Sequence, residues 1–182
     1  GARRMHRMIE DLLVYTGTVD TEPKDAPMIR ADLVLDVALD HLRQKIEASG
    51  ALVTRDSLPS VRVFETHLVQ LFQNLLSNSL KYTRPGVAPR VHVSAQPLGT
   101  DWVFSVRDEG IGFDAEYKEQ VFRLFARLHT RREYSGNGIG LAICARIVEQ
   151  YGGRIWADAE VGKGATFYFT LPAFGIMSAP AA

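Results

Sequence analysis

The most strongly patterned stretch of the chain runs from His67 to Tyr82. At 100° per residue its leucines and one phenylalanine form a wide apolar arc, which predicts a mostly buried helix. The remaining face gathers polar side chains: His67, Gln70, Asn74, Ser77, Asn78 and Lys81. A solvent-facing surface normally carries Glu and Lys, because asparagine is a mediocre helix former. Two asparagines four residues apart therefore favour a face that binds a ligand, and a solvated stripe is the alternative.

Two helices and a linker are predicted before this stretch. Apolar residues at helical spacing predict an amphipathic helix over residues 3–16, which begins abruptly, as if cut from a longer helix. A polar stretch interrupted by glycine and proline indicates a linker over 17–29. The next helix is predicted from Asp32, as its N-cap, to a stop at Gly50.

Strand patterns account for much of the remaining chain. Short runs at 51–55 and 61–64 predict two strands joined by a turn, and alternation over 91–95 and 102–106 predicts an antiparallel hairpin. The other predicted elements are helical pieces over 115–128, a helix over 139–151 and a strand pair at 154–158 and 165–171. These elements predict an α+β fold, a two-layer sandwich with helices covering one face of a mostly antiparallel mixed sheet.

Composition narrows the functions open to such a domain. The 182 residues are 46% apolar and 23% charged with no formal net charge, which is an ordinary globular balance. Basic residues are not in excess, so nucleic acid is not an indicated partner, and no apolar run is long enough to span a membrane. The one cysteine, Cys144, excludes an internal disulfide framework. It indicates a reducing compartment, and we expect the cytoplasm.

Two glycine-rich segments supply further candidate chemistry. Asp108-Glu109-Gly110-Ile111-Gly112 follows a predicted strand; its aspartate can accept a hydrogen bond from an exocyclic amine, and its glycines allow close approach to a flat ring. A plain surface turn is the alternative. Gly136-Asn137-Gly138-Ile139-Gly140-Leu141 opens a predicted helix, where exposed N–H groups favour an anion. This second segment matches neither the dinucleotide-binding fingerprint nor a P-loop.

The polar face of the central helix has matching chemistry. A carboxamide oxygen is a neutral hard ligand, which suits Mg²⁺ when phosphates and water supply its other ligands. Lys81, one turn after Asn78, can meet a phosphate as a point charge. Tyr82 can pack on a base or a ribose.

Taken in order, these segments resemble the nucleotide-binding boxes of sensor histidine kinases. The matching features are Asn78, then Asp108 with Gly110 and Gly112, then Phe122 and Phe125, then Gly136, Gly138 and Gly140, then the glycine-rich turn 162–166. The resemblance extends over residues 30–172 and implies the Bergerat fold, which is shared with gyrase, Hsp90 and MutL proteins. The segments 125–129 and 152–156 look most similar to those of phytochrome-type and related soluble sensor kinases.

The resemblance implies ATP and Mg²⁺ as cofactors and gives the helix residues their roles. Asn78 would ligate Mg²⁺, Asn74 and Lys81 would lie near the phosphates, and Tyr82 would lie near the nucleoside. ATPase branches of this superfamily carry a carboxylate at the position of Asn74, where it activates the attacking water. Asparagine cannot act as a general base, so transfer to a protein side chain is favoured over rapid hydrolysis.

The resemblance also implies how the adenine is held. Asp108 would receive the adenine amino group in a pocket shaped by Gly110 and Gly112. Thr166 would support the adenine from the neighbouring strand, through water.

The ATP lid, by the same resemblance, would comprise residues 127–138. Arg127 would contact the γ-phosphate, Phe122 and Phe125 would anchor the base of the lid, and 136–141 would cradle the phosphates. For the two phenylalanines, ordinary core packing is the alternative role.

The implied domain organisation has four parts. Residues 1–16 would end a dimerisation and phosphotransfer helix, 17–29 would be a linker, 30–173 the ATP-binding domain and 174–182 a flexible tail. No histidine here has the acidic residue and proline that follow the family's phosphoacceptor, so we expect the acceptor upstream. The implied function is transfer of the ATP γ-phosphoryl group to that histidine in a homodimeric parent kinase, and then to a response regulator. The alternatives are a Bergerat-fold ATPase switch and a non-catalytic kinase-like binding module.

Overall fold

The computed structural model describes residues 2–17, 23–126 and 138–173. The helices are α1 (Ala2–Gly17), α2 (Ala31–His41), α3 (Arg43–Ser49), α4 (Glu65–Lys81) and α5 (Gly140–Gln150). The strands are β1 (Met28–Arg30), β2 (Leu52–Arg55), β3 (Ser60–Arg62), β4 (Arg90–Leu98), β5 (Asp101–Asp108), β6 (Ile155–Glu160) and β7 (Gly164–Pro172). Short 3-10 turns at Ala115–Tyr117 and Gln120–Phe122 follow β5.

The main sheet has the strand order β2-β4-β5-β7-β6. Strand β2 pairs with β4 in parallel, whereas the other neighbours in this sheet are antiparallel. The inward-facing rings of β5 and β7, Phe104 and Phe169, stack at 5.0 Å, and both meet the edge of Phe72 from α4. The sandwich of helices on a mostly antiparallel mixed sheet is therefore confirmed.

Helix α4 forms the centre of the helical layer. Its apolar arc is buried: four of its side chains have no exposed surface, namely Leu68, Leu71, Phe72 and Leu75. Helix α5 packs beside it in the opposite direction. At one end of this pair, the Tyr151 hydroxyl accepts a hydrogen bond from Phe64 N at 3.1 Å and lies 2.7 Å from Nδ1 of His67. The buried helix predicted from the sequence is confirmed.

The helix predicted from Asp32 to Gly50 is interrupted. Leu42 leaves helical backbone angles, with φ −98° and ψ 3°, and buries its side chain, so that α2 and α3 are separate. The predicted N-cap is also wrong: Arg30 is the cap, because β1 runs directly into α2. The stop at Gly50 is confirmed, since that residue has a left-handed φ of 66°.

The strands predicted at 51–55 and 61–64 are present as β2 and β3, but they do not pair with each other. Strand β2 joins the edge of the main sheet beside β4, whereas β3 pairs with β1 in a separate two-stranded sheet. Strand β1 lies partly within the predicted linker 17–29. Ala26 is already buried, and the Pro27 carbonyl accepts a hydrogen bond from Val63 N. The packed domain therefore begins earlier than the predicted boundary at residue 30.

Helix α1 lies against α5 at its C-terminal end. The Arg146 guanidinium lies 4.6 Å from the centre of the Tyr15 ring, and Tyr15 packs against the core. Farther along α1, Met5, Ile9 and Leu13 keep more than half of their surface exposed. Across the described ranges, none of the helices combines the length and apolarity needed to cross a bilayer.

Candidate nucleotide site

Asp108 ends β5 as a buried carboxylate held by three donors. Its Oδ1 accepts hydrogen bonds from Gly110 N at 2.9 Å and Ala165 N at 3.1 Å. Its Oδ2 accepts one from the Ser79 hydroxyl of α4 at 3.2 Å. Only 7% of the residue is exposed. An ionised carboxylate has about four acceptor positions, so Oδ2 can accept one further donor.

Burial raises the pKa of Asp108, while the hydrogen bonds from Gly110, Ala165 and Ser79 work in the opposite direction. The donors favour the ionised form and burial disfavours it. A buried acceptor that still has room for a donor gains most from a ligand N–H that takes that position. A neutral donor such as an exocyclic amine fits this requirement.

Three glycines around Asp108 allow backbone segments to cross. A Cβ on Gly110 would stand 2.1 Å from the Tyr82 carbonyl oxygen, and one on Gly112 2.0 Å from that of Glu160. A Cβ on Gly164 would stand 2.1 Å from the carbonyl oxygen of Asp108 itself. These glycines are therefore required by chain packing, in addition to any approach of a flat ligand. Because these positions carry no side chain, the backbone can pass closely there. The end of α4, the end of β5 and the β6–β7 turn therefore meet around the carboxylate.

Helix α4 connects the two glycine-rich segments. Ser79 bonds Asp108, whereas Asn74 lies beside Gly140 at the start of α5; a Cβ on Gly140 would stand 3.4 Å from Asn74 Oδ1. Five residues separate the two contacts, or roughly 7 Å along a helix axis. Asn78 lies between them and is partly exposed. Helix α4 therefore contacts both of the glycine-rich segments that the sequence singles out, through Ser79 and through Asn74.

Lys81 and Tyr82 lie at the C-terminal end of α4. Lys81 Nζ donates to the Tyr82 hydroxyl at 2.8 Å and lies 4.4 Å from the ring centre. The Tyr82 carbonyl accepts a hydrogen bond from Ile111 N at 3.0 Å, which ties this end of the helix to the Asp108 loop. Both predicted residues are therefore next to the carboxylate loop.

Phe125 and Gly138, which lie just before and just after residues 127–137, contact each other. Phe125 N donates to the Gly138 carbonyl at 2.8 Å, and Phe125 has a left-handed φ of 61°. Phe122 meets the edge of Phe167 and is partly buried, as a core aromatic would be, whereas Phe125 is half exposed. The predicted contacts of Arg127, Gly136 and Asn137, and the predicted lid, lie outside the described residues.

Thr166 is not brought to the pocket. It pairs with Arg107 across β5 and β7, and alternation puts both on the sheet face opposite Asp108 and Ala165. The neighbouring strand reaches the carboxylate through the Ala165 backbone N–H instead. Ile139 is buried in the core and Leu141 packs against it, so any contact of theirs with a ligand would come from the backbone.

Ser79 and Ala165 were not predicted from the sequence. Ser79 could have been suspected, because a hydroxyl on the buried side of an otherwise leucine-rich helix needs a partner. Ala165 contributes only its backbone, and no side-chain pattern reveals that.

The donor chemistry fits a magnesium ion held mainly by a ligand. Among the described residues, no group of three or more His, Cys, Asp or Glu side chains could hold a metal. Asn78 therefore offers one neutral oxygen, and phosphates and water would have to complete the shell. Mg²⁺ is commonly bound in this way at sites for nucleoside triphosphates.

Comparison with known proteins gives one family. The model for histidine kinase-, DNA gyrase B- and HSP90-like ATPases matches residues 63–174, more than half of the chain. Cyanobacterial phytochrome A of Nostoc sp. is 47% identical over 175 residues, covering 96% of this chain and 23% of the relative. Methanogenesis regulatory histidine kinase FilI of Methanothrix harundinacea is 42% identical over 172 residues, covering 93% and 19%.

A solved structure gives the same fold. Histidine kinase ThkA, in complex with response regulator protein TrrA, aligns with a TM-score of 0.70 at 20% identity, over 95% of this chain and 48% of that chain. The chain spans only 23% and 19% of the length of the two relatives above. With its buried aspartate, paired asparagines and glycine crossings, the chain belongs to the family of histidine kinase-, DNA gyrase B- and HSP90-like ATPases.

Proposed function

We propose that this chain is the ATP-binding catalytic domain of a sensor histidine kinase. Its parent would transfer the γ-phosphoryl group of Mg·ATP to a histidine outside this chain, and then to the receiver domain of a response regulator. The 42% identity to a protein named as a histidine kinase supports this proposal. The pairing of ThkA with a response regulator supports the second partner.

The observation that carries the proposal is the carboxylate of Asp108. Its Oδ1 is occupied by two backbone donors, and its Oδ2 has room for one more. Adenine offers a donor in its exocyclic amino group, whereas guanine carries an acceptor oxygen at the same ring position. A buried acceptor that meets an acceptor leaves both unpaired, which costs free energy. The site therefore favours adenine over guanine.

The phosphates would extend from the adenine along α4 towards the start of α5. Asn78 would ligate Mg²⁺, Lys81 would turn from Tyr82 to a phosphate, and the N–H groups at Gly138 and Gly140 would face the phosphate oxygens. Bound Mg²⁺ would neutralise charge on the phosphates. The described residues would align the nucleotide, and such positioning supplies most of the catalysis in phosphoryl transfer.

Helix α1 supports a proposal about the dimerisation of the parent protein. Its exposed Met5, Ile9 and Leu13 would continue the apolar seam of a dimerisation helix. We accordingly propose a homodimeric parent with its catalytic domain in the cytoplasm. The single cysteine, buried and without a disulfide partner, supports a reducing compartment.

Calorimetry with Mg·ATP and Mg·GTP tests the proposed function. We expect saturable binding of ATP, much weaker binding of GTP, and loss of most ATP affinity when Mg²⁺ is chelated. Binding of neither nucleotide would favour a non-catalytic kinase-like module and refute the proposal.

A steady-state phosphate-release assay separates a kinase from an ATPase switch. Asn74 supplies no general base, so we expect bound ATP to persist through many minutes without turnover. Sustained release of phosphate over many turnovers would instead identify an ATPase. A receiver domain and a separately supplied phosphoacceptor helix from the same parent provide the positive control for transfer.

A further inference from the structure

A buried chain of hydrogen bonds joins the C-terminal end of α5 to the N-terminal end of α4. Tyr151 follows the last residue of α5, His67 lies in the first turn of α4, and both are buried. The Tyr151 hydroxyl accepts a hydrogen bond from Phe64 N at 3.1 Å and lies 2.7 Å from His67 Nδ1. The His67 ring also packs edge-on against the rings of Phe64 and Tyr151. These three residues take no part in the nucleotide contacts proposed above.

The direction of each hydrogen bond follows from the backbone donor. Phe64 N can only donate, so it occupies a lone pair of the Tyr151 oxygen and leaves the hydroxyl proton for another acceptor. His67 Nδ1 lies within reach as that acceptor, and it accepts when the ring is neutral with its proton on Nε2. Burial lowers the pKa of His67, which favours the neutral ring. The hydrogen bonds therefore run from Phe64 N–H through the Tyr151 hydroxyl to His67 Nδ1.

Helix α5 connects this hydrogen-bonded end to the glycine-rich segment. It has 11 residues, or a length of roughly 16 Å, with Gly140 at its start and Tyr151 just after its end. The middle of α5 is held by buried apolar side chains, namely Ile143, Cys144, Ile147 and Val148. Apolar packing is non-directional, whereas a hydrogen bond requires a specific geometry. The hydrogen bond at Tyr151 therefore restricts the tilt of α5 more sharply than the apolar contacts do.

We propose that Tyr151 and His67 are positioning residues for the nucleotide phosphates, because their hydrogen bond fixes the tilt of α5 on α4 and so aligns the N–H groups at Gly138 and Gly140. This proposal rests on the nucleotide-binding function proposed above. Neither side chain would touch the nucleotide. The adenine contact at Asp108 is independent of α5, since the three donors to that carboxylate come from α4, the loop after β5 and β7.

Loss of the Tyr151 hydroxyl would act on the protein without nucleotide. Phe64 N and His67 Nδ1 would both lose their buried partner, and they could recover hydrogen bonds to water only if the two helix ends separated. The free protein would then favour the separated form, and binding of the phosphates would have to reverse the change. The affinity for a triphosphate should therefore fall, while the affinity for adenosine should stay the same.

The variant Tyr151→Phe removes the hydroxyl and keeps the ring. Calorimetry would measure the Kd values of Mg·ATP and of adenosine for this variant and for the unsubstituted chain. We expect the affinity for Mg·ATP to fall about tenfold, with the affinity for adenosine unchanged. Unchanged affinity for Mg·ATP, or an equal loss for both ligands, would overturn the proposal.

The variant Tyr168→Phe is the matched control for loss of a tyrosine hydroxyl. Tyr168 stacks on Trp156 at 5.2 Å and lies on the sheet face opposite Asp108. The affinity of Tyr168→Phe for Mg·ATP should equal that of the unsubstituted chain. A tenfold loss in this control as well would show that the effect is not specific to Tyr151 and would refute the proposal.

Two substitutions of His67 separate the hydrogen bond from packing. His67→Asn keeps an acceptor oxygen close to the place of Nδ1 and should retain most of the affinity for Mg·ATP. His67→Leu removes the acceptor and should show the loss seen in Tyr151→Phe, and combining these two variants should add little, because both remove the same hydrogen bond. Equal losses in His67→Asn and His67→Leu would reduce the effect to core packing and refute the positioning role.

Nitrogen-15 NMR of the His67 ring gives a readout that needs no nucleotide. We expect a neutral ring with its proton on Nε2, and a hydrogen-bonded chemical shift at Nδ1 that disappears in Tyr151→Phe. A proton on Nδ1, or an Nδ1 shift that is the same in Tyr151→Phe, would refute the hydrogen bond. If the unsubstituted chain bound no ATP, the proposed function would fail, whereas the NMR experiment would still decide whether Tyr151 donates to His67.

Discussion

The variant Asp108→Asn should separate folding of the domain from adenine binding. The amide oxygen can take the place of Oδ1 and still accept from Gly110 N and Ala165 N. The amide nitrogen then replaces Oδ2 and donates to Ser79, whose own proton can go to the Leu75 carbonyl at 3.2 Å. All three protein contacts survive, so the fold should be retained.

Adenine binding should be lost in this variant, because the remaining N–H of the introduced amide would point at the adenine amino group. A hydrogen bond to a charged acceptor contributes about 1.5–3 kcal/mol, and leaving a buried donor unpaired costs about 1–3 kcal/mol. We therefore expect Mg·ATP affinity to fall by about 3 kcal/mol or more, which is about 150-fold in Kd. Calorimetry measures this directly. ITP, which carries an oxygen in place of the amino group, should lose far less affinity or gain some.

Asp158→Asn is the matched control, since Asp158 is exposed on β6 and lies on the sheet face opposite Asp108. The Asp158→Asn variant should bind ATP with the same affinity as the unsubstituted chain. The proposed role of Asp108 in binding adenine would be refuted by either of two results. One is that Asp108→Asn binds ATP as tightly as the unsubstituted chain, and the other is that its preference between ATP and ITP does not change.

The difference in stability between the Asp108→Asn variant and the unsubstituted chain should also depend on pH. Burial raises the pKa of Asp108 above its ordinary value of 3.8, so the folded protein takes up this proton more readily than the unfolded chain. Asp108 contributes its stability in full below its unfolded pKa, and that contribution is lost as pH rises through the folded pKa. Asparagine does not titrate. Urea unfolding should therefore show the difference in unfolding free energy moving in favour of Asp108→Asn between acidic and neutral pH.

The other predictions concern the metal, a glycine crossing and the phosphoacceptor. Asn78→Ala should abolish Mg·ATP binding with an unchanged circular dichroism spectrum; unchanged affinity would remove the proposed metal contact. Gly112→Ala should lower the unfolding free energy by about 3 kcal/mol or more, through a left-handed φ and a clash with Glu160, whereas Gly99→Ala, with φ 60° and open space, should cost about 1–2 kcal/mol. If urea unfolding showed the same loss of unfolding free energy in both variants, the contact between Gly112 and the Glu160 carbonyl would not be sterically tight. With labelled ATP the chain alone should form no phosphohistidine, and label on His6 would contradict an upstream acceptor.

Local patterns predicted the elements that carry their own signal. Helix α4, the β4–β5 hairpin and α5 follow from periodicity and alternation within a single segment. Strand β1 did not, because three residues with only Ile29 partly buried leave no alternation to detect. The parallel pairing of β2 with β4 joins segments about forty residues apart, and nothing in either run specifies that register.

The candidate site shows the same division. Asp108 and the asparagines could be selected because their chemistry is visible in the sequence. The reason for Gly110 and Gly112 was only partly visible, since each meets a carbonyl from a distant segment. Thr166 was expected at the adenine because of its motif, yet strand alternation turns it to the other face.

The glycine crossings at residues 110, 112 and 164 have an evolutionary consequence. The wall around Asp108 is backbone against backbone, so few side chains there can be exchanged to reshape it. In the proposed nucleotide site, recognition of the base would therefore be concentrated in the carboxyl group of Asp108 instead of being shared among many contacts. A lineage of such domains could alter its nucleotide preference at that single codon, while any change at the three glycines would cost the fold first.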